Sequence, residues 1–192
     1  MNSTKKAAFQ IEGTQSLIMH NVVNFMDPTN PLRKEFKNLT GKRTKTPEDE
    51  ERIARLEWQM SLYLDGDGGL SIPTRVLQSM MVAAAKLTKR GQAVKRGLRV
   101  DRAARLTIPG WNNDDLESNW ASGKFSLASV VVVGGKRIVR IRPQFNEWSA
   151  EPEFTYLPDV IDERDISDII ETGGRLIGLM DWRPYHGLFE VK

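Results

Sequence analysis

Ser129-Val130-Val131-Val132-Val133, then Gly134-Gly135, then Lys136-Arg137-Ile138-Val139-Arg140-Ile141-Arg142 constrains the fold more than any other stretch. Two β-branched runs joined by Gly-Gly predict an antiparallel hairpin, because a two-residue turn needs positive φ at positions where glycine accepts it. Val130 to Val133 show no polar alternation, which predicts a central strand buried on both faces. In the second strand a period of two puts Arg137, Val139 and Ile141 on one face. Lys136, Ile138, Arg140 and Arg142 share the other, a basic row.

The remaining elements are read from their punctuation. Phe9–Gly13 and Ser16–His20 read as a broken first strand. Asn24 to Thr46 reads as a long basic loop around Asp27-Pro28-Thr29-Asn30-Pro31. Thr46-Pro47 followed by Glu48, Asp49 and Glu50 opens a helix with Ile53, Leu56 and Met60 along its apolar stripe. Asp65-Gly66-Asp67-Gly68-Gly69 lacks the bidentate Glu of a calcium loop and reads as a turn. Pro73 to Thr88 is a mostly apolar helix, and Leu98–Ala103 an edge strand. Glu153–Leu157 is a strand, and Asp165–Thr172 a helix closed by Gly173-Gly174 as its C-cap. Leu176–Met180 and Leu188–Val191 read as closing strands. The order β-α-β-β-α-β predicts a ferredoxin-like α+β domain. At 192 residues it is expected to be one domain, with 24–46 and 89–128 as insertions.

Charge is segregated although the net is only +3. Residues 33–45 hold six bases against Glu35, and 86–105 hold eight against Asp101 alone. Residues 151–171 hold eight acids against Arg164. A basic lobe attracts a polyanion, and the same pattern suits head-to-tail self-association, basic face on acidic face. With no cysteine and only His20 and His186, disulfides, thiolate sites and a zinc centre are not expected, nor is any cofactor. No run of eighteen apolar residues predicts a membrane span, and the cytoplasm is the expected compartment.

The C-terminal stretch Gly173-Gly174-Arg175-Leu176-Ile177-Gly178 through Trp182-Arg183-Pro184-Tyr185-His186-Gly187 carries the chemistry. Gly173, Gly174, Gly178 and Gly187 would let a nucleic-acid backbone approach, or equally serve a tight turn between closing strands. Arginine forks onto phosphate and aromatics stack on bases. The expected contacts are therefore Arg140 and Arg142 on the strand face, Arg175 and Arg183 by the loop, and Trp182 and Tyr185 as platforms. Lys42, Arg43, Lys45, Lys95, Arg96 and Arg99 would meet phosphates without sequence preference. His186 is a weak candidate base for a metal-independent ribonuclease; its plain alternative is a loop histidine packing on Trp182.

A ferredoxin-like skeleton whose last helix ends in Gly173-Gly174 and runs through Arg175-Leu176-Ile177-Gly178 to Tyr185-His186-Gly187-Leu188-Phe189 resembles the RAMP superfamily of CRISPR-associated RNA-binding proteins. The resemblance implies a glycine-rich loop on RNA backbone and a place in a ribonucleoprotein, either processing RNA or assembling along it. The basic loop and Arg142-Pro143-Gln144-Phe145-Asn146-Glu147-Trp148 also resemble small phage proteins, which would put the chain in the host cytoplasm. The expected function is single-stranded nucleic-acid binding, RNA favoured over DNA, without independent catalysis. The alternatives are a self-assembling phage or filament protein and a metal-independent ribonuclease.

Overall fold

The computed structural model describes residues 3–192. In chain order it holds β1 (Lys5–Ala8), β2 (Ile11–Gly13) and β3 (Leu17–Ile18), then α1 (Val22–Met26), α2 (Pro31–Thr40) and α3 (Pro47–Ser61). Next come β4 (Ser71–Ile72), α4 (Thr74–Leu87), α5 (Gly91–Gly97), β5 (Leu98–Arg99), β6 (Ala104–Thr107) and α6 (Leu116–Ala121). The chain closes with β7 (Ser126–Val133), β8 (Lys136–Phe145), β9 (Ser149–Ala150), β10 (Glu153–Tyr156), α7 (Glu163–Leu176) and β11 (Phe189–Val191). This is a mixed α+β chain with several antiparallel sheets.

The chain divides into two compact units. The first comprises Met1–Ile18, Leu64–Trp111 and Asn146–Lys192, and the second comprises Met19–Tyr63 and Asn112–Phe145.

In the first unit, one sheet has the order β1-β10-β5 and another the order β11-β2-β9-β6-β4. The strand read over Phe9–Gly13 is β2 alone and that read over Ser16–His20 shortens to β3, while β1, which the reading missed, precedes both; β1 faces β10 and β2 faces β9. Between β1 and β2 the Phe9 amide donates to the Pro152 carbonyl at 3.2 Å. Ile11, Ile72, Leu77, Met80, Phe154, Ile166, Ile170 and Phe189 are fully or almost fully buried and form the centre of this core. The helix read as Asp165–Thr172 instead spans Glu163–Leu176, capped by the Asp162 side chain on the Asp165 amide. Gly173 and Gly174 are not its C-cap but lie inside it. A Cβ on Gly173 would sit 2.1 Å from Met80 Sδ, and one on Gly174 2.4 Å from the Phe189 carbonyl oxygen. Both glycines are there because α7 presses directly on α4 and β11, and that close packing outweighs glycine's poor helix propensity. Leu176–Met180 is not a strand, because the helix consumes its start and a left-handed loop its end.

In the second unit the hairpin has the expected register, Val133 opposite Lys136 and Val130 opposite Val139, with Gly134 at φ 56° and Gly135 at φ 79°. The predicted burial of its first strand is overturned. Val130 and Val132 are 63% and 68% exposed, and Val139 across from Val130 is 61% exposed; the side chain of Val133 lies outside the described residues. A continuous apolar run cannot by itself tell a buried strand from an exposed one, and here the valine face is turned out while its opposite packs on α3. The loop read over 24–46 is largely helical. Asn30 caps α2 through the Leu32 amide, Pro31 takes its first position, and the Phe25 and Phe36 rings meet edge to face at 6.0 Å. The basic run misled because Lys34 and Lys37 lie on the exposed side of a short helix and Lys42, Arg43 and Lys45 follow its end. α3 starts as read, closed by a reciprocal capping box between Thr46 and Asp49.

Arg52 clamps α3 to α2 with a two-pronged contact on Glu35 at 2.7 and 2.9 Å, and Lys42 meets Asp49 at 2.7 Å. Arg52 holds the Glu35 carboxyl below its ordinary range, and Lys42 does the same for Asp49. A carboxyl depressed in the folded state stabilises above the ordinary carboxylate range and loses that contribution as pH falls through its lowered value. Melting temperature is therefore expected to hold near neutrality and fall below about pH 4. Substituting Glu35→Gln should flatten that acid limb; an unchanged limb would remove this pair from the account.

Candidate nucleic-acid interface

The segment from Gly178 to Leu188 is a folded-back loop, and its shape follows from where its backbone bonds go. The α7 terminus is closed by the Ile177 and Gly178 amides, which donate to the Gly173 carbonyl at 3.0 and 2.9 Å. The loop then lies along residues 14–18. The Gly187 amide donates to the Ser16 carbonyl at 2.9 Å, and the Asp181 amide donates to the Ile18 carbonyl at 3.0 Å. In return, the Thr14 amide donates to the Leu188 carbonyl at 2.9 Å. Trp148, buried on β9's approach, donates its indole N–H to the Gln15 carbonyl at 2.8 Å and so fixes the seat on which the loop rests.

The loop crosses itself tightly. The Leu179 amide donates to the Gly187 carbonyl at 2.9 Å, and a Cβ on Gly187 would lie 2.0 Å from the Leu179 carbonyl oxygen. A Cβ on Gly178 would lie 2.8 Å from the His186 carbonyl oxygen. Gly178 (φ +74°) and Gly187 (φ +73°) are therefore required by the loop's own crossing.

Met180 (φ 64°) and Trp182 (φ 57°) are also left-handed, where neither side chain is at ease. Each such residue costs on the order of 1–3 kcal/mol and persists only where its surroundings over-determine it. Met180 is buried and acts as an anchor. Trp182 is partly exposed, next in sequence to the exposed Arg183 and Pro184. These three, with Leu176, Ile177, Asp181 and Ala83 of α4, line an open hollow of about 560 Å³. Tyr185 projects from the tip, 82% exposed. Arg175 is exposed on the last turn of α7. His186 is held in place, its Nδ1 2.9 Å from Ser16 Oγ and its ring centroid 5.9 Å from that of Trp182. That is the arrangement of a packed loop histidine.

Against known proteins the chain stands apart in sequence. No family model matches it, and a comparison with curated proteins finds no match. Among solved structures it is similar to one titled "Crystal structure of Cmr6 from Pyrococcus furiosus", over 100% of both chains at 9% identity and a TM-score of 0.37. That is a distant likeness.

The other expected contacts are dispersed. On the hairpin, the row Lys136, Ile138, Arg140, Arg142 runs from an exposed Lys136 at the turn to a buried Arg142, and its two arginines are already engaged. Arg142 is 8% exposed and donates to Glu57 Oε1 at 3.1 Å, Arg140 reaches the same oxygen at 3.2 Å, and the Ile141 amide donates to Glu57 Oε2 at 3.1 Å. Glu57 itself is 3% exposed. This correction has a plain cause: a buried acid on α3 draws two arginines inward, since a buried charge needs paired and hydrogen-bonded partners. Lys42 is committed to Asp49, and Lys45 donates to the Lys42 carbonyl at 3.0 Å, while Arg43 is exposed.

In the first unit Lys95, Arg96 and Arg99 remain on the surface, at the end of α5 and on β5. Sequence reasoning passed over their neighbour Asp101, whose signal was its isolation as the only acid in a basic run. The Thr155 hydroxyl on β10 donates to Asp101 Oδ2 at 2.5 Å. The Asp65–Gly69 turn closes as read, with Asp65 Oδ1 accepting the Asp67 and Gly69 amides. A hollow of about 690 Å³ beside it contains Arg105, but Asp65 and Asp67 already neutralise that guanidinium at 2.8 and 3.4 Å. Among the described residues, no helix is long and apolar enough to cross a membrane.

Proposed function

We propose that this chain binds single-stranded nucleic acid, RNA rather than DNA, through the loop 178–188, on a ferredoxin-like core of the RAMP kind. The observation that carries the reading is Trp182, an aromatic residue held left-handed and partly exposed beside an exposed Arg183 on the rim of an open hollow, with the exposed Tyr185 close by in the loop. Strained residues cluster at binding and catalytic sites, which supports giving the exposed part of this loop a task. Stacking platforms next to guanidinium groups are what a single strand requires. The strand order supports the core topology. β11 lies beside β2, β2 beside β9 and β9 beside β6 in one sheet, and β1 beside β10 and β10 beside β5 in the other, with α4 and α7 as the intervening helices. Arg175 and Arg183 are the proposed loop phosphate contacts, with Lys95, Arg96 and Arg99 as further ones. Arg142 is too buried to serve.

Fluorescence anisotropy with a labelled oligouridine over a salt series tests this. Arg183→Ala is expected to weaken binding and lower the salt slope by about one. Tyr185→Ala, which removes an exposed ring with no core role, is expected to cost about tenfold in affinity with the slope unchanged. Unaltered affinity in both variants would sink the assignment.

The exposed face of Val130, Val132 and Val139 favours a second reading, self-assembly. Sedimentation without nucleic acid separates the two: concentration-dependent oligomers that form no complex with the oligonucleotide would transfer the role to assembly.

A further inference from the structure

We propose that the cleft beside Arg99 and Asp101 is a ribose–phosphate subsite that selects RNA through its 2′-hydroxyl; this rests on the nucleic-acid reading above. The cleft, about 180 Å³, is lined by Thr4, Arg96, Gly97, Arg99, Asp101 and the β10 end from Thr155 to Leu157. Arg96 and Arg99 are three residues apart and exposed, and among the described residues neither makes an ion pair. Gly97 forms the floor: its carbonyl accepts from the Leu157 amide at 2.8 Å, and a Cβ there would meet Val160 at 2.8 Å.

The acid in this basic setting determines the ligand. Asp101 Oδ2 is taken by the Thr155 hydroxyl, which orients the carboxylate; Oδ1, which has no hydrogen bond among the described residues, can accept a further donor. A phosphodiester group alone offers no donor and meets a like charge at Asp101. A ribose beside its phosphate offers both parts at once, anionic oxygens for the arginines and a hydroxyl for the carboxylate. Deoxyribose lacks the 2′-hydroxyl and leaves the carboxylate facing the backbone without a partner, which is how a site tells RNA from DNA.

A second cleft of about 330 Å³ shares Arg99 and Asp101 and continues over Thr74, Arg75 and Gln78 of α4. Two clefts meeting at one Arg–Asp ridge suit two successive nucleotides of a strand, whereas a free nucleotide would fill one of them.

The test is anisotropy with labelled oligouridine and oligodeoxyuridine of equal length at one salt concentration, with unlabelled uridine monophosphate as competitor. The intact protein is expected to prefer RNA by about tenfold, the worth of one hydrogen bond to a charged acceptor. Asp101→Ala is expected to abolish that preference by weakening RNA while DNA binds as before or tighter. Arg99→Ala should weaken both alike. Asp101→Asn, which keeps the shape of the side chain, should lower the preference in a protein whose melting is unchanged. Equal affinities in the intact protein, or a preference surviving Asp101→Ala, would overturn the subsite and leave the loop reading standing. Displacement of the oligomer by an equal concentration of the mononucleotide would also overturn it, reassigning the cleft to a free nucleotide. Failure of both oligomers to bind would overturn the subsite and the broader reading together.

Discussion

Gly187→Ala should cost about 4 kcal/mol of stability, the largest loss expected from adding a single methyl group to this chain. Two effects add there. Alanine at φ +73° is strained, and its Cβ would lie 2.0 Å from the Leu179 carbonyl oxygen and 2.8 Å from the Leu179 nitrogen. Backbone cannot swing aside as a side-chain tip can, so the loop must lift from residues 14–18. It would then surrender the Gly187–Ser16 and Asp181–Ile18 bonds. Gly110 provides the control in the same unit. Its φ is +76°, and nothing lies within 4 Å of its added Cβ. Gly110→Ala therefore isolates backbone strain and should cost about 1 kcal/mol. Urea unfolding of both variants measures the difference. Equal losses would mean that the loop crossing relaxes freely and that its glycines answer only to φ.

Glu57→Ala is expected to cost about 3–5 kcal/mol by leaving two guanidinium groups without their acid. Arg142 is the sharper of the two, being 8% exposed, with a donor, Nε, that has no hydrogen-bond partner among the described residues. The Ile141 amide would lose its acceptor as well. The neighbouring Trp58, whose indole donates to the Phe125 carbonyl at 2.8 Å, gives a fluorescence signal for the transition. Because the penalty comes from an orphaned charge, Glu57→Leu combined with Arg142→Met should recover much of the loss. If Glu57→Ala costs under about 1 kcal/mol, the cluster behaves as a wet surface pair and its burial has been overstated.

The two sites show what the sequence could and could not reveal. The hairpin register was legible because Gly134-Gly135 between β-branched runs admits one pairing, and α3 because Thr46, Pro47 and Asp49 stand at capping positions. The faces were not legible. Period two separates Arg140 and Arg142 from Val139 but does not say which side meets a helix, and Glu57 decided it from more than eighty residues away. Gly173-Gly174 carried a true signal of close backbone approach, yet the approaching groups were Met80 and Phe189 of the same chain. In the loop, Trp182 and Met180 take left-handed conformations that no propensity would assign to them, because tertiary bonds from residues 14–18 impose the shape. Asp101 was visible as a lone acid, but its partner Thr155 lies fifty-four residues on, so only the fold joins them.

The first strand has a further consequence for how the protein is made. β1 and β2 take their hydrogen-bonding neighbours from β9, β10 and β11, so Ile11 waits for Ala150 and Val191 before its edges are covered. A ribosome delivers those residues only after everything between them and Ile11. During synthesis the amino-terminal strand must stay open while Met19–Tyr63 of the second unit emerges and acquires its helices. Pairings across such separations close slowly, and an unpaired strand is a target for chance pairing while it waits. Production in cells should therefore respond to slower translation and to chaperones that shield extended segments more than the finished fold's stability would suggest.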